Sequence, residues 1–570
     1  MMNDLLLKMS KVIVCIFAGF ICGYLFLNSI FSTCVMWYDN EQTYYIKDFP
    51  ILLLGGLFIF IILLVFNKKY LLTILKNEKA LIISATGIWT ILLTIFVINT
   101  DIRLVYDQAS VYEGIVDFLN GDYTSWAKGG YYYNFNFQNG LAFMYAPIML
   151  IFGENTYWAV QGVNAICYFM LAVGMYKITK EYFNKYVAVC SYLMILFYVP
   201  LWGYVKYFYG SLSGMCFGIW SMYFIVLFVK EQRWKWLLSG SVCTLFTMIF
   251  KGNFLIYVLA ICLLLAIEAI RKKEWNYLIA IVAIIVAAKL GMSGPSYVMH
   301  CITGEVTNQG IPAIKSVVVG LRESYVAPGW YNGNAPEWFA KNGYSVEAAS
   351  KSAWKSIGES MNLFLQEKEY ALRFFCRKSA SIWNNPTFEG FAVVVKGNGD
   401  GTLAYWMKDI LYSGGVINTV ITLVLDVVHT MILFGVLLYL ALCMKDFQIR
   451  EALLMICFIG GYLLHIFWEA KCQYTILFFI LLFPYVFMGY QQCIKECENV
   501  WRNRNLFKKA YQKRGVWFIG VILALTLVIG LSNSEFWTST IKLQGGESEY
   551  IWLCKEHADW KSDTFTKEGK

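Results

Sequence analysis

Residues 51–99 read ILLLGGLFIFIILLVFNKKYLLTILKNEKALIISATGIWTILLTIFVIN. Two apolar runs, 51–67 and 81–99, flank a short loop that carries Lys68, Lys69, Lys76 and Lys79. About 20 helical residues cross the roughly 30 Å of hydrocarbon in a bilayer, and both runs approach that length. In lipid only helices and closed barrels satisfy their own backbone polar groups. Both runs are continuous rather than alternating, which selects helices over barrel strands. Lysines crowded between two spans mark the cytoplasmic side.

Working outward, the same reading predicts spans near 11–31, 51–67, 81–99, 157–177, 187–204, 211–229, 235–250, 253–270, 276–292, 417–442, 452–468, 474–490 and 516–533. The expected fold is therefore an all-α polytopic membrane protein with about 13 transmembrane helices. A chain that is 58% hydrophobic and 15% charged supports that class. The net charge of +9 sits mostly in short loops, such as Lys177–Lys180–Lys185, Lys230–Arg233–Lys235 and Arg271–Lys272–Lys273. Arg502, Arg504, Lys508, Lys509, Lys513 and Arg514 precede the last run. All fall on one side when the N-terminus is cytoplasmic and the C-terminus outside. The positive charge thus describes membrane loops, not a nucleic-acid surface. Lys8 and Lys11 precede an apolar run with no small-residue cleavage site, which predicts a retained first helix. Most of the 16 cysteines, including Cys167, Cys190, Cys216 and Cys262, lie inside apolar runs as small hydrophobes. Cys493 and Cys497 form one C-x-x-x-C on a basic segment without a second ligand pair.

Residues 140–153, GLAFMYAPIMLIFG, are apolar but short. Counting them as a span would invert every basic loop downstream, so they are expected to lie at the outer interface or to dip in and back. The resulting organisation is N-terminal membrane helices (1–99), a first outer loop (100–156) and central membrane helices (157–292). An outer lobe (293–416), C-terminal membrane helices (417–533) and an outer tail (534–570) follow. Turn signals such as Ala327-Pro328-Gly329 and Gly397-Asn398-Gly399-Asp400-Gly401 mark the lobe. No internal repeat is evident, which weighs against a secondary transporter.

The first outer loop opens with Asp101 and Asp107, followed by Glu113, Asp117 and Asp122. A carboxylate at the mouth of a membrane cavity can deprotonate a hydroxyl or hold a divalent cation; a solvated acidic face is the plainer reading. Trp126, Tyr131, Tyr132, Tyr133, Phe135 and Phe137 suit sugar stacking and equally an interfacial aromatic belt. Three short outer turns each carry a lysine: Lys206, Lys251 and Lys471. Cations on the outer side at one depth suit a shared phosphate site, or each lysine snorkels to the interface. Glu469 stands two residues before Lys471 and would orient it or offset its charge. Asp426 and His429 lie one helical turn apart within a span, an ionisable pair that is either functional or satisfied against a neighbouring helix.

Three stretches carry a family resemblance. VYDQASVYEGIVDFLNGDY (105–123) places an aspartate at the start of a small helix that leads into a G-D-Y turn. YYYNFNFQNGLAFMYAPIMLIFGENTYWAVQGVNAI (131–166) runs from an aromatic stretch through an amphipathic helix to a return helix. HIFWEAKCQYTILFFILLFPY (465–485) carries W-E-x-K at the opening of a late span. Together, over most of the chain, they resemble the membrane glycosyltransferases of the C-type fold, the group of protein mannosyltransferases and the aminoarabinose transferase of lipid A. The resemblance implies transfer of a sugar from a polyprenyl-phosphate carrier to a hydroxyl acceptor on the outer leaflet, usually with inversion. It implies Asp107, then Asp101, as the acceptor-activating carboxylate, and Lys471 at the donor phosphate, to which the reading of the outer turns would add Lys251 and Lys206. Glu469, Tyr474, Tyr133 and Gln138 follow as substrate contacts. Two departures stand out: Asn136 occupies a place where members often carry proline, and residues 205–210 lack the second carboxylate of many members. The second departure leaves a catalytic divalent cation open.

Two other readings share this topology. A flippase of lipid-linked sugars would alternate its access between the two sides. A polyprenyl-diphosphate glycan ligase would be expected to concentrate outer arginines, for which Arg322, Arg373 and Arg377 are available. The expected location is a plasma membrane, from the resemblance a bacterial one.

Overall fold

The computed structural model describes residues 2–37, 41–100, 104–306, 310–331, 333–395, 403–443, 448–502 and 547–556. Helix α1 (Met2–Phe31) leads into a hairpin of β1 (Ser32–Met36) and β2 (Thr43–Lys47), antiparallel with Cys34 opposite Tyr45. Then come α2 (Pro50–Phe66), α3 (Lys68–Lys76), α4 (Glu78–Ile98), α5 (Asp107–Leu119), the one-turn α6 (Tyr131–Asn134) and α7 (Asn139–Phe152). The central bundle is α8 (Thr156–Tyr182), α9 (Lys185–Phe197), the short α10 (Pro200–Gly203), α11 (Ser211–Glu231), α12 (Trp234–Phe250), α13 (Leu255–Lys272) and α14 (Asn276–Thr303). The lobe holds α15 (Ile314–Gly320), α16 (Ala335–Lys341), α17 (Val346–Gln366), α18 (Lys368–Trp383), α19 (Ala392–Val395) and α20 (Tyr405–Leu411). The chain continues with α21 (Val416–Cys443), α22 (Leu453–Phe467), α23 (Cys472–Phe479), α24 (Phe483–Arg502) and α25 (Glu547–Glu556).

Among the described residues nine helices are long and apolar enough to cross a membrane, and ten if α2 and α3, bent by 65°, count as one span. The shorter apolar helices α9 and α12 coincide with two more of the expected spans. The run at 516–533 lies outside the described residues. The protein is thus an all-α polytopic membrane protein, apart from the small hairpin, whose β-branched and aromatic residues suit strands. Ile51, Phe58, Ile83 and Ile279 are exposed. Such continuous apolar surface is tolerated against lipid and not against water.

Two boundaries differ from the sequence reading. Helix α14 does not stop at 292 but runs on through Pro295 to Thr303, where Gly304 at φ +73° ends it. The run at 187–204 is broken at Tyr198, because Pro200 starts a separate turn. The carbonyls freed by that break find partners: the Tyr168 hydroxyl lies 2.8 Å from Ile195 O and 3.3 Å from Tyr198 O, and Trp202 Nε1 donates to Leu196 O at 3.0 Å.

The break also creates a backbone-to-backbone contact with the lobe. A Cβ on Gly203 would lie 1.6 Å from Gly390 O, and one on Gly390 would lie 2.2 Å from Pro200 O. Neither neighbour is a flexible side-chain tip, so the contact admits only glycine. We expect Gly203→Ala to destabilise the protein by about 1–3 kcal/mol or more through overpacking. Gly55→Ala, which meets nothing within 4 Å on α2, should be neutral or stabilising by up to about 1 kcal/mol. Thermal unfolding of the two purified variants in detergent checks the contrast.

Candidate active site

The side chains that converge at one end of the bundle come from the ends of helices. Asp107 opens α5 after Tyr106, a non-glycine residue at φ +54°. Its carboxylate is exposed and sits in the first turn, where the helix dipole favours an anion. The Tyr131 hydroxyl donates to one carboxylate oxygen and the Tyr209 hydroxyl to the other, each at 3.3 Å. Gln138 Nε2 donates in turn to the Tyr209 hydroxyl. Tyr209 turns inward because the next residue, Gly210, takes φ +69° before α11 begins.

The aromatic stretch is a wedge more than an open platform. Trp126 stacks on Tyr132 at 4.3 Å and donates through Nε1 to Asn139 Oδ1 at 2.8 Å. The Tyr132 hydroxyl donates to Val111 O at 3.0 Å. Both rings are fully buried and pin α5 against α7, while Phe137 stays exposed.

Two lysines face this carboxylate across the tyrosines. Lys251 is the extended residue between α12 and α13. Its ammonium donates to Ser211 Oγ at 2.9 Å and lies between the rings of Tyr209 (5.1 Å) and Tyr474 (5.0 Å). Lys471 is the extended residue between α22 and α23, and it pairs with Glu41 at 3.2 Å. The Tyr474 hydroxyl donates to Glu469 at 3.5 Å, at the limit of a hydrogen bond. The structure therefore brings together Asp107, Gln138, Lys251, Glu469, Lys471 and Tyr474.

Lys206 is held elsewhere. Buried, it donates to Gln161 Oε1 at 3.1 Å and Val97 O at 3.3 Å, beside the rings of Tyr157 and Trp158. Tyr133 packs on Phe339 and Tyr344 and joins the first outer loop to the lobe. Asp101 lies outside the described residues. Asp122 accepts from its own turn, from Thr124 N at 2.9 Å. His429 lies flat on Phe479 at 4.6 Å within α21, and it forms no ion pair with Asp426.

Sequence reasoning missed two carboxylates. Glu41 follows the first strand, and Glu389 lies in a lobe turn at φ +58°, where its Oε2 accepts from Gln473 N at 2.8 Å. Glu389 stands alone in its local sequence, and Glu41 follows Asp39 by two residues; no motif flags either. Glu41, Glu389 and Glu469 raise the acidic content of the site. Even so, no set of three His, Cys, Asp or Glu among the described residues is arranged to hold a metal ion.

Burial shapes the charges. It lowers the Lys251 ammonium to about 7, helped by the charge of Lys471. It raises the Glu469 carboxyl to about 7 against the opposing pull of Lys471. For Lys471, burial pulls downward, but Glu41 and Glu389 override it and hold the ammonium well above its ordinary value. A carboxylate base facing fixed cations across a tyrosine suits group transfer from a phosphate leaving group to a hydroxyl.

Residues 140–291, about a quarter of the chain, match the family model of dolichyl-phosphate-mannose-protein mannosyltransferase. The matched segment begins in α7 and ends within α14, so it contains Lys251 and Tyr209. No curated protein matches the chain. With the helical membrane architecture, the match supports a membrane glycosyltransferase of the C-type fold.

A pH dependence follows. Below about 7, Lys251 carries its proton and Glu469 is neutral; above it, Lys251 is neutral and Glu469 anionic. Both changes make the cluster more negative as pH rises. Affinity for a phosphodiester anion, whose own charge is constant in this range, should fall about tenfold between pH 6 and 8.5, some 1.4 kcal/mol. Lys251→Met should bind weakly throughout and show a shallower fall. Titration calorimetry in detergent checks both.

Proposed function

We propose that this membrane glycosyltransferase moves a sugar from a polyprenyl-phosphate carrier to a hydroxyl acceptor on the outer face of the membrane, with inversion. The observation that carries the proposal is Tyr209. Its hydroxyl holds Asp107 and its ring lies against the Lys251 ammonium, so base and cation are spaced by one rigid side chain. Asp107 takes the acceptor proton as the acceptor oxygen attacks the anomeric carbon from the side opposite the phosphate. The bond from that carbon to the phosphate oxygen breaks, and the carrier leaves as a phosphate monoester. Lys471 and Lys251 stabilise the negative charge that develops there. A lipid-borne donor needs no nucleotide-binding fold, and its chain lies in the surrounding bilayer.

Topology supports the outer face. Lys68 pairs with Glu498, Lys180 with Glu78 (3.6 Å), Lys230 with Glu181 (2.8 Å) and Arg271 with Glu268 (2.6 Å). These basic groups gather at the helix ends opposite to those that carry Asp107, Lys251 and Lys471. By the positive-inside rule their end is cytoplasmic. The outer arginines are engaged with glutamates: Arg377 with Glu323 at 2.7 Å, Arg373 with Glu369 and Arg322 with Glu359 at 4.0 Å. That pairing favours a transferase with lysines at the phosphate over a ligase with an arginine-lined site.

The test is turnover of labelled polyprenyl-phosphate sugars by the protein in liposomes. Sugar transfer with release of free carrier phosphate is expected. Asp107→Asn should lower the rate about 10²–10⁴-fold, and Lys471→Ala should raise the donor KM. Movement of intact donor between leaflets without release of carrier phosphate would identify a flippase instead.

A further inference from the structure

The turn 468–473, which carries Glu469 and Lys471, is fixed from the lobe at three backbone positions. The Lys378 ammonium on α18 donates to Trp468 O at 2.7 Å, Ile466 O at 3.0 Å and Gly320 O at 2.6 Å. Ala470 N donates to Gly329 O at 2.8 Å, and Trp330 pairs with Ala470 in a single parallel bridge. Gln473 N donates to Glu389. The two side chains that reach the site stand between these three anchors.

The Lys378 contact is fully used, with three ammonium hydrogens and three carbonyls, and the side chain is 1% exposed. Ile466 and Trp468 end α22, where carbonyls lack helical partners and the dipole is negative. No carboxylate forms an ion pair with Lys378 among the described residues, and burial lowers its ammonium to about 7 against the upward pull of Glu469. A buried charge without a paired carboxylate is costly, and here three carbonyl acceptors offset that cost. The surroundings are shaped for it. A Cβ on Gly329 would lie 2.7 Å from Lys378 Cε, and one on Gly320 would lie 2.1 Å from Phe467 O.

The Glu389 anchor is equally specific. Phe388 and Glu389 both adopt positive φ, at +46° and +58°, a conformation that costs side-chain-bearing residues energy. The Tyr204 hydroxyl on Phe388 O at 2.6 Å and the Gly203–Gly390 contact hold that strained turn in place.

We infer that Lys378 and Glu389 are positioning residues, which hold the 468–473 turn so that Lys471 and Glu469 stand opposite Asp107. The inference deepens the donor-phosphate reading of Lys471 and rests on it for its functional consequence. The lobe is then a template for half of the site rather than an appended domain.

The test uses full-length Lys378→Met and Glu389→Met proteins in lipid. It measures hydrogen exchange of peptides covering 468–476 and 107–119, together with binding of a short-chain isoprenyl phosphodiester. Exchange should rise at least tenfold in 468–476 and stay unchanged in 107–119, and in Lys378→Met affinity should fall about tenfold. Unchanged exchange at 468–476 in both variants would overturn the inference. So would exchange that rises equally everywhere, which marks a general loss of stability. If Lys378→Met does not fold, exchange in Glu389→Met, which removes the acceptor of Gln473 N and leaves the Lys378 anchor in place, decides alone. If the turn loosens but Lys471→Ala binds the phosphodiester like the wild type, the positioning stands and the donor-phosphate reading fails.

Discussion

Hydrocarbon offers backbone amides and carbonyls no partner, so a chain crosses it as helix and can depart from helix only where water or other protein groups replace the lost bonds. The arrangement of this protein follows from that constraint. Its chemistry-bearing side chains stand at breaks: Asp107 at the start of α5, Tyr209 before α11, Lys251 between α12 and α13, and Lys471 between α22 and α23. Lys251 and Lys471 both adopt extended backbone between two helices, at φ −162° and −158°. A residue in that conformation projects its side chain clear of the helices on either side. Four separate breaks thus deliver their side chains to one membrane face.

Burying cations there has a cost that the neighbours offset in two ways. Lys471 keeps its charge because Glu41 and Glu389 lie against it. Lys251 sits between two tyrosine rings, which stabilise a cation without neutralising it. One ammonium is therefore held charged by anions, and the other is poised near neutral pH. On the proposed function, the donor phosphate would complete what the protein leaves partly balanced. Glu469, its carboxyl raised into the same range by burial, makes the balance responsive to a single proton.

The lobe shares in this economy. Its buried core touches the bundle through Trp330, Trp383 and Phe388, all within the main hydrophobic cluster. Tyr133 adds a second tie from the first outer loop to Phe339 and Tyr344. Both segments therefore fold onto the helix ends instead of standing away from them, and Asp107 on one segment is held in register with the cations beneath the other.

Hydropathy alone determined the class of the fold, because lipid imposes a length and a continuity that are visible in one dimension. The runs at 51–67 and 81–99 became α2 and α4, and even the exceptional segment 140–153 became a separate short helix. The loop lysines were legible for the same reason, since charge sorts by side of the membrane. Which outer lysines meet was not legible. Lys206 and Lys251 both stand among aromatic residues in short turns, yet Gln161 and Val97 hold the first while Ser211 and two tyrosine rings hold the second. The difference lies in which helix ends pack together, and no local pattern encodes that. Glu389, Glu41 and Lys378 were invisible for the same reason. A charged residue in a polar stretch looks solvated until the fold closes over it, and only tertiary packing, by removing water, turned these three into partners of the turn that carries Lys471.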